Sequence, residues 1–159
     1  MPYWSEDVLQ ELEKNLAVRV DEQRAHRRVE VMRSFFPDSL VEDYGHLVDV
    51  MECDEKNRHV LAAAYRSPAD TLVTFNVKDF PDNALRAVGI EVKTPDEFML
   101  DVTDLYPTVM ARVCYQALAS YKRKPQTPID LATILTRSGL PESASEIYPL
   151  VSTLYENLE

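Results

Sequence analysis

The chain has 159 residues, 45% of them hydrophobic and 28% charged, which leaves room for one domain with a real core and hardly for two. No apolar run approaches the roughly 18–20 residues needed to span a bilayer, so a helical membrane protein is excluded. The formal charge of −10 argues against broad coating of nucleic acid, which needs basic surface to release counterions.

Met1-Pro2-Tyr3-Trp4-Ser5-Glu6-Asp7 has neither a basic nor an apolar leader segment, so a signal peptide is not expected and a cytoplasmic location is. In such a chain Cys53 and Cys114, whose spacing resembles no zinc motif, are expected to be reduced and structural.

Tyr3-Trp4 reads as a strand-like stub, with Trp4 a core residue rather than a base-stacking platform. Ser5 is a good helix cap, and Glu6 and Asp7 follow in the first turn, where the helix dipole favours them. Val8, Leu9, Leu12 and Leu16 recur at helical spacing to about Ala17. A second helix is predicted over 21–36, with Val29, Met32, Phe35 and Phe36 facing inward, and Pro37-Asp38 ends it. Leu40-Val41 suggests a short edge strand, and His46–Met51 a helical turn or two.

Asp54 can cap a helix over 55–65, on which Val60, Leu61 and Ala64 are apolar. Ser67-Pro68 breaks it. Thr71-Leu72-Val73-Thr74-Phe75 is nearly continuous in its apolar character, as expected of a buried parallel strand. A short helix over 83–88 leads to Gly89 as its cap, then to a strand at Ile90-Glu91-Val92. Thr94-Pro95-Asp96-Glu97 is a strong helix start. From Pro107 the pattern is helical throughout: 108–121, then 127–139, then a last helix from Pro141 bent at Pro149. Strands alternating with helices in the first hundred residues indicate an α/β fold with parallel pairing. The predicted organisation is an α/β domain over 1–104 and a helical C-terminal extension over 105–159.

In such a fold, functional side chains gather at the carboxyl ends of strands. Here that region offers Asn76 and Asp79 just after a strand, and Asp54 and Asn57 at a helix start. Glu11 lies on the first helix. Taken singly, each has an ordinary reading: Asp54 as a cap, Asn57 as a first-turn polar residue, Asn76 and Asp79 as turn formers, Glu11 as a solvent-facing residue. Arg58 and His59 read as phosphate contacts or as part of the outer face. The basic clusters Arg24, Arg27, Arg28 and Lys122, Arg123, Lys124 read first as solvated helix faces, second as contacts to a phosphate backbone.

Together these residues resemble a known family. Trp4-Ser5 with Val8-Leu9, Glu11 and Asn15-Leu16 matches an early pattern of VapC-like PIN-domain nucleases. Asp54-Glu55-Lys56-Asn57-Arg58-His59-Val60-Leu61-Ala62-Ala63-Ala64 matches the family's D-x-x-D-R-H-V-L-A-A-A, except at Asn57. Val73-Thr74-Phe75-Asn76-Val77-Lys78-Asp79-Phe80-Pro81 matches V-T-F-N-x-x-D-F-P, and Gly89 to Met99 echoes the segment that follows. The helical tail resembles the C-terminal extension of one bacterial VapC-like subgroup.

The resemblance implies a three-layer α/β/α PIN-like fold with a parallel sheet and a toxin-type endoribonuclease of a toxin–antitoxin system. It also implies Mg²⁺ or Mn²⁺ as cofactor, held by Glu11, Asp54, Asn57 and Asp79, with Asn76 a further site residue. RNA is the implied substrate, an antitoxin protein the implied partner, and homodimers are common in the family. Two departures stand out. The family's first strand, which carries its leading metal-binding Asp and lies mid-sheet, has no counterpart from residue 1 onward, and Asn57 stands where the family has Asp. The expectation is a site completed by a separate small N-terminal fragment supplying that strand and Asp. The alternatives are a catalytically inactive PIN-like module that binds protein or RNA, and a truncated form of an ordinary PIN toxin.

Overall fold

The computed structural model describes residues 1–156. It shows a mostly helical α/β chain with two small sheets: β1 (Trp4–Ser5), α1 (Glu6–Ala17), α2 (Glu22–Phe35), β2 (Leu40–Val41), α3 (Arg58–Arg66), β3 (Thr71–Val73), α4 (Asp82–Val88), β4 (Glu91–Lys93), α5 (Pro95–Leu105), α6 (Pro107–Ser120), α7 (Pro128–Arg137) and α8 (Pro141–Glu156). Short 3₁₀ turns occupy Gly45–Val50, Glu55–Asn57 and Val77–Asp79. By contacts the chain divides into two compact units: one holds Met1–Leu72 and Asn76–Val92, the other Val73–Phe75 and the chain from Lys93 onward.

In the first unit, β1 pairs with β2 in parallel, Trp4 opposite Leu40 and Ser5 opposite Val41. The Ser5 side chain accepts the Val8 N–H (3.3 Å) and so starts α1 directly from the strand. Asp21 caps α2 through the Arg24 N–H (2.8 Å), and Arg33 ties α2 to α1 by reaching both Glu6 carboxylate oxygens (2.8 and 2.7 Å). The Arg33 guanidinium lowers the Glu6 pKa despite the opposing effect of burial.

The buried face of α2 is Ala25 and Val29, with Met32 half-buried. The predicted inward placement of Phe35 and Phe36 is corrected: they are 75% and 41% exposed. Phe35 lies about 80° around the helix from Ala25, and Phe36 falls beyond the helix end. There Phe36 meets Trp4 edge-on with centroids 5.8 Å apart, and Trp4 is half-buried.

The helix predicted from Glu55 begins instead with a 3₁₀ turn and becomes α-helical at Arg58. Its buried residues are Leu61, Ala62 and Ala63. Leu61 and Ala62 form a core with Met51, Phe80 and Ala84, on which Leu72 of β3 and Val92 of β4 also pack. α3 also touches β1. One helix therefore lies against side chains of both strand pairs.

β3 and β4 pair in parallel: Glu91 N–H donates to Asp70 O (2.8 Å) at one end and Thr74 N–H to Lys93 O (3.0 Å) at the other. β3 was expected to be buried over 71–75. It is shorter, Val73 is 40% exposed and Phe75 63%. Among the described residues, no strand joins the β1–β2 pair to the β3–β4 pair, so each strand has a strand neighbour on one side only. Gly89 takes the left-handed conformation (φ 70°) that closes α4.

In the second unit, Thr94 and Glu97 form a reciprocal capping box at α5: Thr94 Oγ1 accepts the Glu97 N–H (3.2 Å) and Glu97 Oε2 accepts the Thr94 N–H (2.7 Å). Leu118, Ile147 and Val151 form the core, with Met99, Met110, Cys114, Leu131 and Leu135 packed on it. Pro149 lies inside α8, which runs through it. Asp96 caps α8 from α5: its carboxylate accepts the backbone N–H of Glu142 (3.0 Å) and of Ser143 (2.8 Å), and the buried Ser143 hydroxyl. Burial opposes the Asp96 charge, but these hydrogen bonds outweigh it and lower the pKa. Asp96→Ala should destabilise this unit by about 1–2 kcal/mol, the scale of a lost cap, in urea titrations. The sign with pH follows from the lowered pKa: Asp96 contributes above the unfolded carboxylate pKa, and its contribution is lost as pH falls through the lower folded value. A melting curve of Asp96→Ala that tracks wild type at neutral pH would refute this role.

Candidate active site

Two short turns of the first unit meet at the start of α3. The 3₁₀ turn at Val77–Asp79 follows β3, and Asp79 N–H donates to the Asn76 carbonyl (3.1 Å), so the turn itself presents Asp79. The second 3₁₀ turn, Glu55–Asn57, precedes α3, and Asp54 opens it by accepting the Lys56 N–H on its carboxylate (3.0 Å). The two turns are bonded together. Asp54 N–H donates to the Asp79 carbonyl (3.3 Å), and the Asn57 side-chain amide donates to the Asp79 carboxylate (3.0 Å). Asn57 and Asp79 are half-buried, while Asn76 and Asp54 are exposed.

Glu11 enters from α1. Its Oε1 lies 3.5 Å from His59 Nε2, with the Glu11 side chain 60% exposed and the His59 side chain 16%. At that separation no hydrogen bond forms, and His59 Nε2 is buried without a hydrogen-bond partner, so the contact is one of proximity. His59 thus faces inward rather than lying on the outer surface. Arg58 is half-buried, its Nε enclosed and likewise unpartnered. The sign of this was in the spacing: His59 stands three and four residues before Ala62 and Ala63, the buried face of α3. The Glu11–His59 contact joins residues 48 apart in the chain and had no local signal.

Cys53 adjoins the cluster, and burial raises its thiol pKa, with Arg58 pulling the other way. Both cysteines are free.

A hard divalent cation takes carboxylate, amide and water oxygens. The side chains of Asp54, Asn57 and Asp79, with Glu11 nearby through His59, fit such an ion in kind. They do not close around one: among the described residues, no three His, Cys, Asp or Glu side chains are placed to hold a metal ion. Asn57 supplies no charge, and one Asp54 oxygen is occupied by the cap.

The fold and this cluster define a class: a mixed α/β protein with small parallel sheets, an acid–amide cluster beyond β3, and a helical C-terminal unit. Residues 95–149 match the family described as VapC50 C-terminal domain. The chain is also 41% identical over 92 residues to the Mycobacterium tuberculosis protein named "Putative ribonuclease VapC50". That match covers 58% of this chain and 54% of the relative, about half its length. Over these two stretches the chain is similar to VapC50. No solved structure matches it. No described helix is long and apolar enough to cross a membrane.

Proposed function

We propose that this chain is the larger part of a toxin-type endoribonuclease of a toxin–antitoxin system, with RNA as substrate, an antitoxin as partner, and Mg²⁺ or Mn²⁺ as cofactor. The observation that carries the reading is the bonded Asp54–Asn57–Asp79 cluster at the carboxyl end of β3, in a chain similar to a protein named a ribonuclease. Glu11, Asp54 and Asp79 would supply carboxylate oxygens to the ion and Asn57 its amide oxygen. When bound, such an ion activates water and offsets charge developing on a phosphodiester. The chain's own residues position the would-be ligands: Asn57 fixes the Asp79 carboxylate, and His59 lies beside Glu11.

The proposal includes a further strand carrying an additional Asp, on a separate fragment, that completes a three-layer PIN-like sheet. Its support is that α3 packs against both strand pairs, which leaves β1 and β3 each with one unpaired edge on the same helix. Exposed apolar residues at β3 agree with a sheet awaiting a neighbour.

The test is cleavage of total RNA in Mg²⁺ or Mn²⁺ by the chain alone and by the chain mixed with a synthetic strand-bearing peptide. Cleavage is expected only in the mixture. Activity of the chain alone would remove the need for the fragment. Inactivity of the mixture and of its Asn57→Asp form would remove the nuclease reading. One observation favours a second reading, an inactive PIN-like module that binds RNA or protein: the residue facing Asp79 is a neutral amide.

A further inference from the structure

We propose that Asn57 is a neutral latch: its amide hydrogen sits beside Asp79 where two facing carboxylates would need a cation, so the chain holds its candidate site together without a divalent ion. This rests on the reading of residues 54–79 as the site, and it concerns how the site is held rather than what it cuts.

The bonds form a closed path. Asp79 N–H donates to Asn76 O (3.1 Å), Asp54 N–H to Asp79 O (3.3 Å), and Asn57 N–H to Asp54 O (2.9 Å). The Asn57 side chain then returns to the Asp79 carboxylate (3.0 Å). Both ends of the 54–57 turn are thereby joined to Asp79, and every link is internal. An amide opposite a carboxylate must turn its NH₂ group toward it, so the direction of the last bond follows from charge. With a carboxylate at position 57, two anionic oxygens would stand at hydrogen-bond distance with no hydrogen between them. Such a pair either shares a proton or takes up a cation. Asn57 removes that choice. The site's demand for an ion is therefore set at one position, and it is low in this chain.

The test uses the full chain and thermal melting in EDTA against millimolar Mn²⁺. The wild type should shift by less than about 1 °C, whereas Asn57→Asp should melt lower in EDTA and recover by about 3 °C or more with Mn²⁺. Exchanging the partners, Asn57→Asp with Asp79→Asn, rebuilds the amide–carboxylate pair and should return the indifference to Mn²⁺. A wild type that gains as much from Mn²⁺ as Asn57→Asp overturns the latch. So does an Asn57→Asp that melts in EDTA at or above wild type, or an exchanged pair that stays Mn²⁺-dependent. If Asn57→Asp is insoluble in EDTA, the exchanged pair decides: soluble and Mn²⁺-indifferent supports the latch, insoluble overturns it. Cleavage enters none of these outcomes, so inactivity of the strand-completed mixture and of its Asn57→Asp form would remove the nuclease reading and leave the latch standing.

Discussion

Leu61→Ala should cost the first unit about 2–5 kcal/mol, the range for deleting a fully buried leucine together with the cavity it leaves. Leu61 is 0% exposed and packs among Met51, Ala62, Phe80 and Ala84. Domains of this size carry only about 5–15 kcal/mol in total, so the loss is a large share of it. The effect should not stay in the core. α3 begins one residue after Asn57 and bears on both strand pairs, so loosening it loosens the cluster at its first turn. Urea unfolding monitored by far-UV circular dichroism measures this, with Leu61→Met, expected to cost under about 1.5 kcal/mol, as the volume-conserving control. Phe35→Ala gives the contrast: 75% exposed, it should change stability by no more than about 0.5 kcal/mol. Equal losses at the two positions would mean that the core is drawn wrongly.

Asp79→Asn should reduce RNA cleavage by the completed nuclease about a hundred-fold or more, the scale on which a single charge-stabilising group registers in a preorganised site. The substitution preserves shape and keeps the backbone bonds of the 76–79 turn, since both use main-chain atoms. It removes the charge and leaves Asn57 facing another amide. Folding and chemistry then separate: melting should change little while the cleavage rate falls. Unchanged cleavage by Asp79→Asn would show that this cluster is not where phosphodiesters are cut.

Local chemistry was legible in the sequence. Ser5, Asp21, Thr94 with Glu97, and Thr127 each announce a helix start by a side chain bonding two or three residues onward, and each does so in the structure. Tertiary placement was less so. Phe35 and Phe36 are apolar residues at the end of an apolar pattern, and their exposure depends on where α2 stops. The run at 71–75 reads as a buried strand because apolar content signals burial only where a neighbour exists to cover it. Asn57 and Asp79, 22 positions apart, meet through a contact that no periodicity encodes; the strand-end rule and the resemblance placed them in one region, not in one bond. His59 reads from the sequence as a phosphate contact or as part of the outer face, because its polarity outweighs its spacing from Ala62 and Ala63.

Ser5 is both the last residue of β1 and the cap of α1, fully buried, with no connecting loop between the two elements. Strand register and helix rotation are therefore geared together. One residue inserted after Ser5 would turn α1 by about 100° relative to the strand and carry Leu9, 1% exposed, out of its socket. Length variation in this protein should accordingly concentrate elsewhere, while the junction at Ser5 admits substitution far more readily than insertion.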